Sequence, residues 1–129
     1  MQTSGQVILV VDDQRDTADD ISEVLELDGF VARTAYTTID ALRLYDALKP
    51  VLVITDESLS GNATGSDLLQ TLRRKYGPET VGRALFLTGL PKLVSALPTD
   101  LVLEKPVGCQ TLLDAVHQLL GPPAAREAY

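Results

Sequence analysis

The stretch that most constrains the fold is Val51-Leu52-Val53-Ile54-Thr55-Asp56, in which five apolar or β-branched residues lead directly to one carboxylate. Pro50 precedes the stretch, and a loop containing Gly61 follows it. A run this apolar predicts a strand that is buried on both faces, as in a parallel sheet. Because open α/β folds place their sites at the carboxyl edge of such a sheet, Asp56 is the first candidate functional residue.

The rest of the chain alternates short apolar runs with amphipathic stretches. Strands are predicted at 7–11, 30–36, 51–56, 84–88 and 101–103, and helices at 14–28, 38–48, 66–76 and 109–120. This alternation predicts an α/β fold of the (βα)5 type, with a parallel sheet covered on both faces. Segment 90–98 contains two prolines and leaves room for little more than two turns of helix. The pattern does not determine the order of the strands.

Composition narrows the class of protein. The formal charge of −7 and the sequence pI near 4.5 argue against direct nucleic-acid binding, which needs a basic surface. The first six residues resemble no signal peptide, and the longest apolar runs are too short to span a membrane, so we expect a cytoplasmic protein. The single cysteine, Cys109, excludes an intramolecular disulfide and is expected to have a packing role.

Polar residues stand at the ends of four predicted strands. Asp12 and Asp13 follow the first strand, Asp56 ends the third, Thr88 ends the fourth and Lys105 follows the fifth. In a parallel sheet these side chains converge on one edge. The simpler interpretation of the first pair is that Asp13 or Asp16 caps the following helix, and that alternative stays open for the pair taken alone.

Three clustered carboxylates must either retain a proton or bind a cation. Two unit charges about 4 Å apart repel by roughly 4 kcal/mol at an effective dielectric near 20. A set of oxygen ligands without His or Cys favours Mg²⁺, and Lys105 would offset part of the remaining charge. A carboxylate oxygen is also a competent nucleophile for phosphoryl transfer, which gives an acyl phosphate. Thr88 and Lys105 could then bind the phosphoryl oxygens.

Four motifs carry a resemblance to a known family: Val10-Val11-Asp12-Asp13, Ile54-Thr55-Asp56, Leu87-Thr88-Gly89 and Glu104-Lys105-Pro106. The chain resembles the receiver domains of two-component response regulators over about residues 6–120, because these motifs follow one another in that family's order and near its spacings. The resemblance implies a flavodoxin-like fold with strand order 2-1-3-4-5. It also implies that Asp56 accepts phosphate from a histidine kinase or a phosphotransfer protein, and that the domain catalyses only its own phosphorylation and dephosphorylation.

The resemblance further assigns roles to single residues. Asp13 and Asp56 would ligate Mg²⁺ directly, together with the backbone carbonyl of Ser58, and Asp12 would act mainly through water. Thr88 and Lys105 would contact the phosphoryl group. The peptide bond between Lys105 and Pro106 would be cis.

The sequence departs from the usual family pattern in two regions. The loop after Asp56 has Ser60 where Pro is usual, and it is one residue longer up to Gly65. Val102 stands at the position of the family's switch aromatic, and the segment between Thr88 and Lys105 is several residues short. We therefore expect the fourth helix to be shortened or absent.

Two other functions are alternatives to a phosphoacceptor. The stunted fourth-helix region favours a receiver-like protein-binding scaffold whose output does not depend on phosphorylation. An Asp-nucleophile phosphohydrolase would need an Asp-x-Asp motif on the first strand, and Asp12-Asp13-Gln14 lacks that spacing.

The remaining expectations concern boundaries, partners and isolated residues. We expect a receiver domain over 1–121 and a flexible tail over 122–129, with no DNA contact and with a downstream target and a homodimer left open. His117 is interpreted as an ordinary exposed histidine without an adjacent acid. The leucines of segment 90–97 are expected to cover the core rather than to form a partner-binding patch. The basic run 73–75 is expected to complement the dipole of its helix.

Overall fold

A parallel sheet of five strands organises the part of the chain that the structure describes. The computed structural model describes residues 6–121, so the expectations for the first residues and for the tail over 122–129 lie outside the described residues. The strands are β1 Val7–Val11, β2 Val31–Ala35, β3 Leu52–Thr55, β4 Ala84–Thr88 and β5 Leu101–Glu104. Their order is β2-β1-β3-β4-β5 and every neighbouring pair is parallel. The predicted flavodoxin-like fold is confirmed.

Helices connect the strands. They are α1 Arg15–Leu27, α2 Thr38–Leu48, α3 Gly65–Tyr76, α4 Pro78–Val81 and α5 Cys109–Leu120, with single 3₁₀ turns at Ser60–Asn62 and Pro91–Leu93. Thr37 is the N-cap of α2 and Thr64 is the N-cap of α3, and each side-chain hydroxyl accepts a hydrogen bond from the amide three residues later. None of the helices in residues 6–121 is long and apolar enough to cross a membrane.

Apolar layers lie on both faces of the sheet. Alternate residues of β1 point to opposite sides: Ile8 and Val10 pack with α1 and α5, whereas Leu9 and Val11 pack with α2 and α3. All residues of β3 and β4 are buried. This double burial is the reason that the central strands have continuous apolar sequences rather than alternating ones.

The connection between β4 and β5 contains only the 3₁₀ turn Pro91–Leu93, which confirms that the fourth helix of the family pattern is reduced. The expectation that its leucines cover the core is wrong. Leu90, Leu93 and Leu97 are 48%, 64% and 43% exposed, because a single turn does not return these side chains to the sheet.

Pro78 begins the short helix α4, which the sequence pattern did not predict. Two local expectations also need correction. Cys109 is exposed at the start of α5 and does not pack in the core. His117 is not an ordinary exposed residue, since 27% of its side chain is exposed and its Nε2 lies 2.6 Å from Oδ2 of the buried Asp28.

The basic run at the end of α3 is likewise more than a complement to the helix dipole. The guanidinium of Arg73 donates hydrogen bonds to the Gly82 carbonyl and to Asp100, whose side chain is fully buried. This ion pair joins α3 to the start of β5.

Candidate functional site

The carboxyl edge of the sheet brings together residues that are far apart in the sequence. Asp12 follows β1, Asp56 follows β3, Thr88 ends β4 and Lys105 follows β5. Carboxylate oxygens of Asp12, Asp13 and Asp56 lie within 4.8 Å of one another. The predicted convergence is therefore present, and the parallel register of the strands produces it.

Both oxygens of Asp56 have hydrogen-bond donors. Oδ1 accepts from the backbone amides of Glu57 at 2.7 Å and Ser58 at 3.4 Å, and Oδ2 accepts from Lys105 at 3.1 Å. The amide of Asp56 donates to the carbonyl of Val11, which fixes the end of β3 against β1. The carboxylate is thereby held in one orientation at the sheet edge.

Lys105 bridges two of the acids. Its ammonium group donates to Asp12 at 2.8 Å as well as to Asp56. Burial lowers the pKa of Lys105, but hydrogen bonds and charge interactions with Asp12 and Asp56 outweigh it, so the pKa is raised above its ordinary value. The Lys105 amide donates to the Thr88 carbonyl, and the Lys105–Pro106 peptide is cis.

The remaining members of the site have local partners. Asp12 is 2% exposed, and its Oδ1 accepts from the amide of Gln14 at the start of α1. Gln14, rather than Asp13 or Asp16, is the N-cap of α1, so the helix-cap interpretation of those two acids is wrong. Asp13 accepts from the Ser60 hydroxyl at 3.2 Å. The buried Thr88 hydroxyl accepts from the Leu90 amide at 3.0 Å.

The donor set fits a hard divalent cation. Three carboxylates supply oxygen ligands within reach of one ion, and this group contains no nitrogen or sulfur ligand. Mg²⁺ prefers such oxygen ligands and retains several waters. Ser58 follows Asp56 by two residues, and its carbonyl stays a predicted ligand.

The model of one protein family, the response regulator receiver domain, matches residues 8–117. This chain is a response regulator receiver domain. Receiver domains are signalling modules of two-component systems, and they bind Mg²⁺ in an acidic pocket of the kind formed here by the three aspartates.

One relative is similar to this chain over most of the chain's length. A Haloferax volcanii protein, described as having a proposed role as a transcriptional regulator, is 34% identical over 120 residues, which are 92% of this chain and 20% of that protein. This receiver domain thus spans about a fifth of the length of that relative.

Solved structures agree in fold. The receiver domain from Bermanella marisrubri has a TM-score of 0.76 and 30% identity, covering 88% of this chain and 97% of that one. The response regulator TrrA from Thermotoga maritima, in complex with Mg²⁺ and beryllium fluoride, has a TM-score of 0.77 and 25% identity, covering 89% of this chain and 99% of that one.

The structure adds two residues to this receiver site that the sequence analysis missed. Glu57 is buried, and its Oε1 accepts from the amide and the hydroxyl of Ser66. Gly65 lies so close to the end of β3 that a Cβ there would lie 2.2 Å from the Asp56 carbonyl oxygen. A glycine after a long loop was a visible signal for the second contact, whereas no sequence pattern pairs Glu57 with Ser66.

Proposed function

We propose that this receiver domain accepts a phosphoryl group on Asp56, in a Mg²⁺-dependent transfer from a histidine kinase or a histidine phosphotransfer protein. One observation carries the proposal. Asp56 lies at the sheet edge with two backbone amides on one oxygen and Lys105 on the other, beside Asp12 and Asp13. This arrangement positions a nucleophile and provides donors for the charge that the transfer brings in.

In the proposed step, a carboxylate oxygen of Asp56 forms a bond to phosphorus. The bond between phosphorus and the donor atom, an imidazole nitrogen of phosphohistidine, breaks, and that nitrogen keeps the electron pair. Lys105 and Thr88 are proposed to bind the transferred phosphoryl oxygens, and the amides of Glu57 and Ser58 keep the Asp56 carboxyl group oriented.

Charge explains why the acids need a cation for this reaction. Two unit charges about 4 Å apart repel by roughly 4 kcal/mol at an effective dielectric near 20, so an anionic phosphoryl group is repelled by the cluster. Lys105 neutralises one charge of the three. Asp12, Asp13 and Asp56 with the Ser58 carbonyl would hold Mg²⁺, which when bound supplies the positive charge that screens the acids and the phosphoryl oxygens.

The phosphoacceptor proposal is tested with small donors. Incubation with acetyl phosphate or phosphoramidate and Mg²⁺ is expected to add one acid-stable, base-labile phosphoryl group, measured by intact mass. The adduct should vanish in Asp56→Asn and persist in Asp114→Asn, which changes an exposed acid on α5. An adduct that survives in Asp56→Asn, or no adduct from either donor, contradicts the proposal.

The Mg²⁺ requirement has its own readout. A ligand at ten times its Kd stabilises the folded state by about 1.4 kcal/mol. At ten times its Kd, Mg²⁺ should therefore raise the free energy of unfolding by that amount, and EDTA should remove the gain. Asp13→Asn is expected to lose most of this response, whereas Asp114→Asn should keep it. An equal Mg²⁺ response in Asp13→Asn would exclude the cluster as the binding site.

A second candidate function is a receiver-like scaffold that binds a partner without phosphorylation. The observation that favours it is the exposure of Leu90, Leu93 and Leu97 on a connection that lacks a full helix. One measurement distinguishes the two functions. A scaffold binds its partner with the same affinity in wild type and in Asp56→Asn, with or without acetyl phosphate, whereas the affinity of a phosphoacceptor changes with acetyl phosphate in wild type only.

Wider aspects of the proposal follow from charge and family. We place the receiver unit in residues 1–121, with 122–129 as a tail, and propose a cytoplasmic protein that makes no direct DNA contact, since the formal charge is −7. The domain is proposed to act as a catalyst only on its own phosphorylation and dephosphorylation. Homodimer formation is decided by measuring mass in solution with and without acetyl phosphate.

A further inference from the structure

A line of hydrogen bonds leads from the Asp56 carboxylate to the connection between β4 and β5. The Glu57 amide donates to Asp56 at 2.7 Å, and the Glu57 carboxylate accepts from the Ser66 hydroxyl at 2.7 Å. The same hydroxyl accepts from the amide of Ser95, also at 2.7 Å. Ser66 therefore uses its hydroxyl both as donor and as acceptor, and it joins the start of α3 to segment 89–100.

Glu57 is fixed firmly to α3. Its side chain accepts the Ser66 amide at 2.9 Å in addition to the hydroxyl, and its carbonyl accepts the Gly65 amide at 2.8 Å. The residue is 5% exposed. If the buried Glu57 carboxylate moved away from these partners, its charge would be left without hydrogen bonds, which is costly. A displacement of Glu57 is therefore transmitted to Ser66.

Segment 89–100 is loosely enough held to move when Ser66 is displaced. It contains a single 3₁₀ turn, and its ends are tied by the Leu90 amide to Thr88 and by the Leu97 amide to Asp100. The bond from Ser95 to Ser66 ties its middle to α3. Because one turn provides little internal structure, this hydrogen bond and the packing of Val94 against the core hold the middle of the segment, and with it the exposed leucines, in place.

We propose that the Glu57–Ser66–Ser95 line couples the phosphorylation state of Asp56 to the position of segment 89–100. The inference rests on the proposed phosphoacceptor function. Phosphorylation turns the charged Asp56 oxygen into an uncharged acyl oxygen, which is a weaker acceptor for the Glu57 amide. This weaker hydrogen bond disfavours the present position of Glu57, and the displacement of Glu57 releases the Ser95 amide.

The experiment measures hydrogen exchange and chemical shift of the Ser95 amide by NMR, with Mg²⁺ alone and with Mg²⁺ plus beryllium fluoride as the phosphoryl analogue. In wild type, loss of this hydrogen bond should accelerate exchange about fivefold when beryllium fluoride is added. In Ser66→Ala, exchange should already be fast and should not respond further. Ser95→Ala is the matched control, because it keeps the backbone amide and should behave as wild type.

The outcomes separate this inference from the proposed function. If the Asp56 and Thr88 amides shift with beryllium fluoride but Ser95 exchange stays unchanged, the coupling is wrong and the phosphoacceptor function stands. The coupling is equally wrong if Ser66→Ala responds like wild type. If beryllium fluoride causes no shifts and acetyl phosphate gives no adduct, both are overturned. A wild-type rate of Asp56 phosphorylation in Ser66→Ala shows that the substitution leaves the site itself intact.

Discussion

The ammonium group of Lys105 lies 2.8 Å from a carboxylate oxygen of Asp12, a residue 93 positions earlier in the chain. The Asp12 side chain is 3% exposed, whereas that of Lys105 is 27% exposed. Lys105 also contacts Asp56 and is therefore the internal counter-ion of the acidic cluster. A bound cation would compete with it for the same charges.

Lys105→Met should separate these two roles. Without metal, the buried Asp12 loses its partner, and the free energy of unfolding in urea should fall by about 2 kcal/mol. Mg²⁺ should bind at least about fivefold more tightly, because the carboxylates lose a competing cation. Lys92→Met, which alters an exposed lysine, should change stability by less than about 0.5 kcal/mol. Weaker Mg²⁺ binding in Lys105→Met would show that the lysine does not compete.

Gly65→Ala should disrupt the loop that follows Asp56. The added Cβ would lie 2.2 Å from the Asp56 carbonyl oxygen and 2.9 Å from Cγ2 of Thr55, so the backbone must shift. We expect a loss of about 3 kcal/mol in urea unfolding, with slower labelling by acetyl phosphate. Gly108→Ala is the matched control, because nothing lies within 4 Å of its Cβ position, and it should cost less than about 1 kcal/mol. Equal stabilities for the two variants would disprove the close approach.

Asp100→Asn should destabilise the junction of α3 and β5. The fully buried Asp100 carboxylate accepts from Arg73 and from the amides of Ala84 and Leu97. Removing its charge leaves the Arg73 guanidinium buried without a counter-ion, and we expect a loss of about 3 kcal/mol by urea unfolding. Asp114→Asn on the exposed side of α5 should stay within about 0.5 kcal/mol of wild type. A similarly small effect in Asp100→Asn would contradict a charged pair.

The contact between Tyr76 and Asp46 predicts a pH effect. The phenol donates to the Asp46 carboxylate, and this hydrogen bond, followed by desolvation, raises the pKa of Tyr76 to about 12. The folded state thus favours the neutral phenol. Its stabilising contribution is complete below the unfolded pKa near 10 and is lost as the pH rises through about 12.

Asp46→Asn should return the Tyr76 pKa toward its ordinary value, because the charged acceptor is gone. The measurement is the ¹³Cζ chemical shift of Tyr76 between pH 9 and 11. In wild type Tyr76 should stay protonated over this range, whereas in the variant it should ionise at a pH about one unit lower or more. Asp40→Asn, on the same helix, should leave the titration as in wild type. Identical titrations of Tyr76 in wild type and Asp46→Asn would exclude this cause.

The sequence by itself determined the strands, their burial and the residues at their ends. Continuous apolar runs such as Val7–Val11 and Ala84–Thr88 have one stable placement, inside a parallel sheet, and parallel strands bring their following residues to one edge. For this reason Asp12, Asp56, Thr88 and Lys105 could be predicted as one group before any contact was known.

Only the tertiary structure decided which polar groups meet across the fold. Glu57 with Ser66, Arg73 with Asp100 and His117 with Asp28 are contacts between separate elements. Local periodicity reports which face of an element is buried, but it carries no information on which buried polar group faces which partner. Each pairing forms only if a helix is placed over the sheet with an accuracy finer than the length of a hydrogen bond. That placement is set by the packing of the whole core.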